Sequence, residues 1–217
     1  MLAMPSPTER LSGVDDLVLG DDGRVRCAWG AATPDYAIYH DSEWGRATTD
    51  DRTLYEKMCL EGFQSGLSWL TILRKREAFR SAFANFEART VAEFDADDVE
   101  RLLTDSSIVR HRGKIEATIN NAQSMCRLWD GGRSLAELIW SFAPPLGGCP
   151  TSMTDVPAIT EESTRLAKEL KKQGFRFVGP TTAYAAMQAM GVVNDHLVGC
   201  WVRESCEHTA GPVPPPR

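Results

Sequence analysis

The sequence lacks any apolar run long enough for a signal peptide or a membrane-spanning helix. It also lacks an excess of positive charge: its formal net charge is −6 over 217 residues, which argues against a protein that coats nucleic acid non-specifically. Segments that alternate polar and apolar residues are missing, and so are internal repeats. Six cysteines in a chain of this length do not suggest a disulfide scaffold. We therefore expect a cytoplasmic protein with free thiols, some of them metal ligands.

What the sequence contains is a helical pattern of apolar residues. Helices are predicted at about 51–62, 68–83, 95–103, 115–129, 135–142, 162–172 and 181–190. This pattern predicts an all-α fold, and an apolar content of 42% is sufficient for one core. We place the domain at 23–203, after a disordered extension (1–22) and before a flexible proline-rich tail (204–217).

Two cysteines and two histidines lie near the ends of this domain. Cys27 and His40 are near its start, and His196 and Cys200 are near its finish. The second pair has helical spacing, so its side chains would share one face of a turn. Two thiolates and two imidazoles make a complete tetrahedral zinc site with no open position for catalysis, and the metal would join the two ends of the domain. The alternative is that these residues are buried thiols and core histidines.

The link between the first two predicted helices, residues 60–69, places polar groups in apolar surroundings. Glu61 lies among apolar residues there, and such a carboxylate either has a partner inside the protein or meets a ligand. Leu67, at the tip of the link, could be a core residue or a wedge. Tyr39 and Trp44, which flank a candidate metal ligand, could be simple packing or the walls of a slot for a planar ring.

A basic turn follows at 108–115, with the sequence I-V-R-H-R-G-K-I. Arg110, Arg112 and Lys114 surround Gly113 between two predicted helices. Backbone amides at such a hairpin bind anions, and neighbouring cations strengthen the binding; a solvated charge cluster is the alternative. Together with the all-α fold, the possible aromatic slot and the carboxylate, the turn suggests a protein that binds a DNA backbone while it holds one base outside the stack.

Several motifs occur in order between about 26 and 201. They are C-x-W, Y-H-D-x-E-W-G, C-L-E-G-x-Q-x-G-L-S-W, I-V-R-H-R-G-K-I, W-S-F, G-F-x-F-V-G and V-N-D-H-L-V-G-C. Together they resemble the 3-methyladenine DNA glycosylase I family. The resemblance implies a helix-hairpin-helix DNA glycosylase fold with one structural Zn²⁺ that joins the N- and C-terminal segments. It also implies a monomer that flips 3-methyladenine out of double-stranded DNA and hydrolyses its N-glycosidic bond, releasing the free base without lyase activity.

The resemblance further implies roles for matched residues. The implied zinc ligands are Cys27, His40, His196 and Cys200. The implied base pocket is Tyr39, Trp44, Glu61 and Trp69, with Glu61 and Tyr39 as the catalytic residues. The implied DNA-binding residues are Gln64, Gly66, Leu67, Arg110, Arg112, Gly113 and Lys114. No lysine nucleophile is implied, so we do not expect Lys114 to form a Schiff base.

An alternative function is a zinc-stabilised module that binds damaged DNA without cutting it. Release of free base from methylated DNA would distinguish the glycosylase from this module. The sequence also departs from the family pattern at both ends. Its N-terminal extension is longer than the resemblance requires, and its tail adds Cys206 and His208 as a competing pair of metal ligands. The motif H-x-x-x-C favours His196 and Cys200 over that pair.

Overall fold

The computed structural model describes residues 16–145 and 148–207. In this part of the chain there are nine α-helices and one antiparallel pair of strands. The helices are α1 (Pro34–Ser42), α2 (Asp51–Gln64), α3 (Trp69–Ala82), α4 (Ala88–Ala92), α5 (Ala96–Thr104), α6 (Arg112–Asp130), α7 (Leu135–Trp140), α8 (Glu161–Lys172) and α9 (Pro180–Ala189). The strands are β1 (Leu17–Leu19) and β2 (Val25–Cys27). The predicted all-α class is confirmed, with the strand pair as a small addition. None of these helices combines the length and the apolar character needed to cross a membrane.

Side-chain caps explain where most of the predicted helices begin. Asp50 and Ser68 accept hydrogen bonds from the first-turn amides of α2 and α3. Asp95, Ser134 and Thr160 form reciprocal capping boxes at the starts of α5, α7 and α8. Each cap contributes about 1 kcal/mol to helix stability. Local sequence therefore fixes these boundaries, which is why the sequence predicts them well.

Two helices are absent from the sequence-based prediction. The two buried residues of α1, Tyr39 and His40, are adjacent and form no apolar stripe. Its start was nevertheless recognisable, because Thr33 caps the helix and Pro34 occupies its first position. With only five residues, α4 is too short for helical periodicity to appear.

The prediction of a disordered extension over 1–22 is wrong for its last residues. Strand β1 lies inside it, and Leu17 is buried in a small cluster with Cys27, Leu197 and Cys200. Three apolar residues are too few for a sequence pattern, and their burial depends on contacts from the far end of the chain. Residues 1–15 lie outside the described part of the chain.

The predicted flexible tail, 204–217, also includes ordered residues at its start. A 3₁₀ turn occupies Arg203–Cys206, and Cys206 is fully buried. The competing ligand His208 lies outside the described residues.

Helix α2 lies at the centre of the molecule. It contacts α3, α6, α7 and α9, and every residue from 54 to 63 is buried. A helix buried on all sides is normally apolar, yet this segment includes Glu56, Lys57 and Glu61. Because a buried charge is costly without a partner, the partners of these three side chains indicate which of them serve the fold.

Candidate metal centre and base pocket

An ion-pair network compensates two of the buried charges on α2. The Lys57 ammonium donates to Glu43 Oε1 at 2.5 Å and to the Ala189 carbonyl at 3.0 Å. Arg76 donates to Glu43 Oε2 at 2.5 Å and to Glu56 Oε1 at 2.7 Å. Burial alone would raise the pKa of Glu43, but the hydrogen bonds from Arg76 and the charge of Lys57 lower it to about 2. This network therefore serves the fold.

Glu61, one turn farther along α2, has no such compensation. Its side chain is buried and accepts no hydrogen bond from the described residues. Burial raises its pKa from 4.5 to about 8, against a smaller lowering by the charge of Lys57. Burial therefore favours the protonated, neutral form of this carboxyl group. A buried acid without a protein partner indicates a ligand site.

Tyr39 and Trp69 complete this site. Their ring centroids lie 5.4 Å apart, and the charge of Glu61 acts on Tyr39. The Trp69 Nε1 atom is buried without a hydrogen-bond partner, and the Tyr39 hydroxyl has none among the described residues. Burial, and then the charge of Glu61, raises the pKa of Tyr39 well above 10, so its hydroxyl remains a donor. Unpaired groups on three neighbouring residues form a candidate pocket for a polar, planar ligand.

Trp44 lies next to the histidines and is not seen in this group. Its ring packs edge-on against Trp29 and His196, with centroid distances of 4.9 and 4.7 Å. No ring contact joins it to Tyr39 or Trp69 in the described structure. The assignment of Trp44 to the base pocket stays a prediction.

The four candidate metal ligands converge, as the sequence analysis predicts. The ligand atoms of Cys27, His40, His196 and Cys200 are buried and lie within 4.8 Å of one another. Cys200 Sγ is 3.5 Å from His40 Nε2 and 3.7 Å from His196 Nδ1. Zn–S and Zn–N bonds of about 2.3 and 2.1 Å would give tetrahedral edges of about 3.4–3.8 Å. The donor set and its spacing therefore fit a metal ion.

Hydrogen bonds orient both imidazoles toward this cluster. His40 Nδ1 donates to Asp41 Oδ1 at 2.9 Å, which leaves Nε2 for the metal. His196 Nε2 donates to the Trp44 carbonyl at 3.0 Å, which leaves Nδ1. Partners of this kind fix the tautomer of a metal-binding histidine. Asp195, beside His196, instead accepts hydrogen bonds from the side chains of Tyr184 and Gln188 on α9.

The two thiols of the cluster interact directly. The neighbouring Cys200 thiol, together with burial, raises the pKa of Cys27. The neighbouring Cys27 thiol, helped by the two imidazoles, lowers the pKa of Cys200 despite its burial. A cation between them would favour both thiolates. Cys206 is buried nearby but is not part of this ligand group.

Two glycines that the sequence analysis missed allow the main chain to approach the imidazoles. A Cβ atom at Gly45, where φ is +78°, would lie 2.8 Å from His196 Nε2, and one at Gly30 would overlap the His40 ring. The available signal was sequence proximity, because both glycines lie close to the first pair of candidate ligands.

The basic turn connects α5 and α6 and exposes two of its cations. The Arg110 side chain is exposed and has no partner among the described residues. Arg112 is exposed and donates to Glu100 at 2.6 Å, a type of surface pair that contributes little to stability. His111 Nδ1 accepts from the Lys114 amide and so caps α6. Both arginines are therefore accessible to phosphate groups.

Lys114 corrects the sequence analysis, which expects its side chain to contact the DNA backbone. Its ammonium is buried and donates to the Phe63 and Ser65 carbonyls at 2.9 and 2.6 Å, and burial lowers its pKa. These carbonyls lie at the C-terminal end of α2, where carbonyls lack helical partners. A run of basic residues does not reveal which of them points inward. Lys114 thus joins the hairpin to the α2–α3 turn.

That turn exposes Leu67. The Leu67 amide donates to the Gln64 carbonyl at 2.7 Å. The intervening Ser65 (φ −48°, ψ 114°) and Gly66 (φ +82°) have the backbone angles of a type II turn, whose third position requires glycine. The Leu67 side chain is 41% exposed, so it is not a core residue. Its role as a wedge stays a prediction.

A hairpin between two helices, a pocket with unpaired polar groups and an exposed apolar residue on a tight turn are the features of a helix-hairpin-helix DNA glycosylase. The profile of the family described as methyladenine glycosylase matches residues 29–204. The chain belongs to this methyladenine glycosylase family and is a glycosylase.

Individual relatives agree with this assignment. DNA-3-methyladenine glycosylase 1 of Escherichia coli (strain K12) is 47% identical over 177 residues, which cover 81% of this chain and 95% of that protein. DNA-3-methyladenine glycosylase of Haemophilus influenzae is 44% identical over 178 residues, 81% of this chain and 96% of that protein. A structure of 3-methyladenine DNA glycosylase I from Staphylococcus aureus, solved for its recognition of 3-methyladenine, superimposes with a TM-score of 0.78 at 37% identity, covering 82% of this chain and 96% of that one.

Proposed function

We propose that this protein is a monofunctional glycosylase that removes 3-methyladenine from double-stranded DNA. The products are free 3-methyladenine and an abasic site, with no strand cleavage. The observation that supports this most directly is the set of unpaired polar groups on Tyr39, Glu61 and Trp69. We further propose that it acts as a monomer in the cytoplasm, a compartment that keeps thiols such as its six free cysteines reduced.

In this mechanism the pocket binds the flipped base. Glu61 accepts a hydrogen bond from the exocyclic amine of adenine, and Tyr39 donates one to a ring nitrogen. Trp69 offers its ring as a stacking surface for an electron-poor base, with Trp44 as a second wall. Methylation at N3 makes the attached base cationic, and this charge favours the ionised form of Glu61. Selectivity follows because an unmethylated base brings no such charge.

The positive charge also activates the base as a leaving group. The bond between base and sugar breaks, the electron pair of that bond neutralises the base, and water captures the oxocarbenium-like sugar and loses a proton. The protein therefore has only to bind the flipped base, orient it and remove water from around it. No amine attacks the sugar, which is the chemical reason to expect no lyase activity, and Lys114 is held by two carbonyls.

We propose that the metal is Zn²⁺, one ion per chain. Two cysteines and two histidines are a common zinc donor set. When bound, the ion is a structural cross-link without an open position for water. Cys27 and His40 would hold it from the β2–α1 segment, and His196 and Cys200 from the C-terminal segment.

Base release from alkylated DNA tests the function. Purified protein is incubated with methylated duplex DNA, and the released bases are separated by HPLC. We expect 3-methyladenine to appear, with no release from unmethylated DNA and no cut strands. Tight binding to methylated DNA without released base would instead support the non-catalytic damage-binding module. Neither binding nor release would reject both.

The wedge role of Leu67 predicts a loss confined to duplex substrates. Leu67→Ala should reduce kcat/KM on methylated duplex DNA by about tenfold or more, because an unfilled gap leaves part of the unstacking cost of a few kcal/mol uncompensated. Affinity for free 3-methyladenine, measured by calorimetry, should not change. Methylated single-stranded DNA is the control substrate, and an equal loss on it would contradict the wedge role.

The hairpin predicts opposite results for an exposed and a buried cation. Arg110→Gln should weaken binding to all DNA sequences and reduce the slope of log Kd against log salt by about one unit. Lys114→Met should leave that slope unchanged but destabilise the fold by about 1–3 kcal/mol, because two carbonyls lose their donor. Arg133→Gln is the matched control, since Arg133 is exposed just beyond the other end of α6, about 28 Å away. A salt slope that responds to Arg133 and not to Arg110 would move the DNA surface elsewhere.

A further inference from the structure

Phe177 combines an unfavourable backbone conformation with an exposed aromatic ring. Its φ is +55°, in the left-handed region that bulky residues avoid. The other non-glycine residues with positive φ in the described chain, 84–86, form one turn whose phenylalanine is buried. The Phe177 side chain is 42% exposed. Burial of the ring therefore does not compensate the backbone strain.

Two asparagines of α6 hold the segment that leads into Phe177. The buried Asn121 side chain accepts from the Arg176 amide at 2.7 Å and donates to the Arg176 carbonyl at 3.1 Å. The neighbouring Asn120 donates to the Gly174 carbonyl at 2.6 Å. The segment before Phe177 is thus fixed to the helix that follows the hairpin. Strain that the surrounding structure enforces in this way is typical of functional positions.

The ring lies where α2 ends and α6 begins. It contacts the His111 ring edge-on at a centroid distance of 6.3 Å. A Cβ atom at Gly113 would lie 3.8 Å from its Cζ, and one at Gly62 would lie 3.4 Å from its Cβ. Lys114 joins this same junction to the turn that exposes the leucine wedge. The ring, the wedge and the hairpin cations therefore lie around one junction.

We propose that Phe177 is a second apolar DNA contact, which stacks on a base next to the flipped nucleotide. This inference rests on the proposed function. A flipped nucleotide leaves neighbouring bases with an exposed face, and an aromatic ring covers such a face without regard to sequence. The cations of the hairpin bind phosphates and cannot do this. An enzyme that scans DNA of any sequence requires a contact that is both apolar and sequence-tolerant.

Two substitutions test the contact separately from the strain. Phe177→Ala and Phe177→Gly both remove the ring, and the glycine variant also relieves the strained backbone. Each should raise the Kd for duplex DNA about tenfold, the scale of one base–aromatic stack. The slope of log Kd against log salt and the affinity for free 3-methyladenine should not change. Ile159→Ala is the control: Ile159 is 49% exposed and lies beyond the far end of the 12-residue helix α8 from Gly174, about 18 Å away.

The outcomes are distinguishable. If wild-type protein excises 3-methyladenine and both variants bind duplex DNA as tightly as wild type does, the inference is wrong and the proposed function stands. A reduced salt slope would mean that Phe177 acts by supporting the hairpin cations, which also overturns it. Lower melting temperatures in both variants, with normal DNA affinity per folded molecule, would make the ring a packing residue. If wild-type protein neither binds nor excises, the proposed function itself fails.

Discussion

Cys200→Ser should remove the bound metal and much of the stability of the fold. Its sulfur contacts both imidazoles of the cluster and lies within 4.8 Å of the Cys27 sulfur. Structural zinc contributes about 10–16 kcal/mol to small peptides that have no other core. Here the main core is separate from the small cluster that surrounds the metal ligands, so only part of that energy is at stake. A loss of about 5 kcal/mol would lower the melting temperature by about 10–20 °C.

Cys206→Ser provides the matched control. Cys206 is buried in the same small cluster but does not belong to the ligand group. The Cys206→Ser variant should keep one metal ion per chain, whereas Cys200→Ser should keep none. Elemental analysis of the purified proteins measures this. A chelator should lower the melting temperature of the wild type toward that of Cys200→Ser. The ligand assignment is wrong if the two cysteines exchange these results, and the zinc proposal fails if wild-type protein contains another metal or none.

The features predictable from the sequence are those with a local cause. Helices α2, α3 and α5 carry their own caps and apolar stripes, so their positions follow from neighbouring residues. The convergence of the candidate metal ligands is predictable because thiol and imidazole chemistry is specific, even though Cys27 and Cys200 come from opposite ends of the domain. By contrast, β1 pairs with β2 and Leu17 packs against the C-terminal segment, and no local sequence pattern predicts the second of these contacts.

The partners of buried charges are a second feature that the sequence does not predict. Lys57 and Glu61 are four residues apart on one helix, and the sequence presents both as charges in an apolar segment. Their difference arises from distant residues, because Glu43 and Ala189 bind Lys57 whereas no group in the described part of the chain binds Glu61. Lys114 is the converse case, since it looks like a surface cation and points inward. Tertiary structure alone decides which charge is left for a ligand.

This difference leads to the prediction for Glu61→Gln, which should fold normally and become more stable than wild type as pH rises. The folded protein keeps a proton on Glu61 up to about pH 8, while the unfolded chain releases it near the ordinary value of 4.5. Between these values folding requires uptake of one proton, so the stability of the wild type falls as pH increases, by up to about 5 kcal/mol. The amide has no proton to take up. Its advantage should be small near pH 5 and largest above pH 8.

Glu61→Gln should raise the stability at high pH but lower the recognition of 3-methyladenine. If the ionised carboxylate binds the cationic base, kcat/KM of the wild type should rise with pH through about pH 8 and level off above it, once Glu61 is ionised in the free enzyme. Glu61→Gln should lack this rise. Above pH 8 it should be slower by about ten- to a hundredfold, the loss expected for a charged hydrogen bond of about 1.5–3 kcal/mol. The variant would thus be more stable and less active at the same pH.

Glu56→Gln separates this result from a general effect of removing a buried charge. Glu56 lies on the same helix and is equally buried, but it is bound by Arg76 and Arg80. Its substitution removes the buried carboxylate that the half-buried Arg76 and Arg80 share and should destabilise the protein by about 1.5–3 kcal/mol, the scale of a hydrogen bond to a charged group, with normal 3-methyladenine affinity per folded molecule. Thermal melts and base binding across pH 5–9 compare the two variants. If Glu61→Gln instead resembles Glu56→Gln, losing stability while retaining affinity, then Glu61 has a partner inside the protein and does not belong to the base pocket.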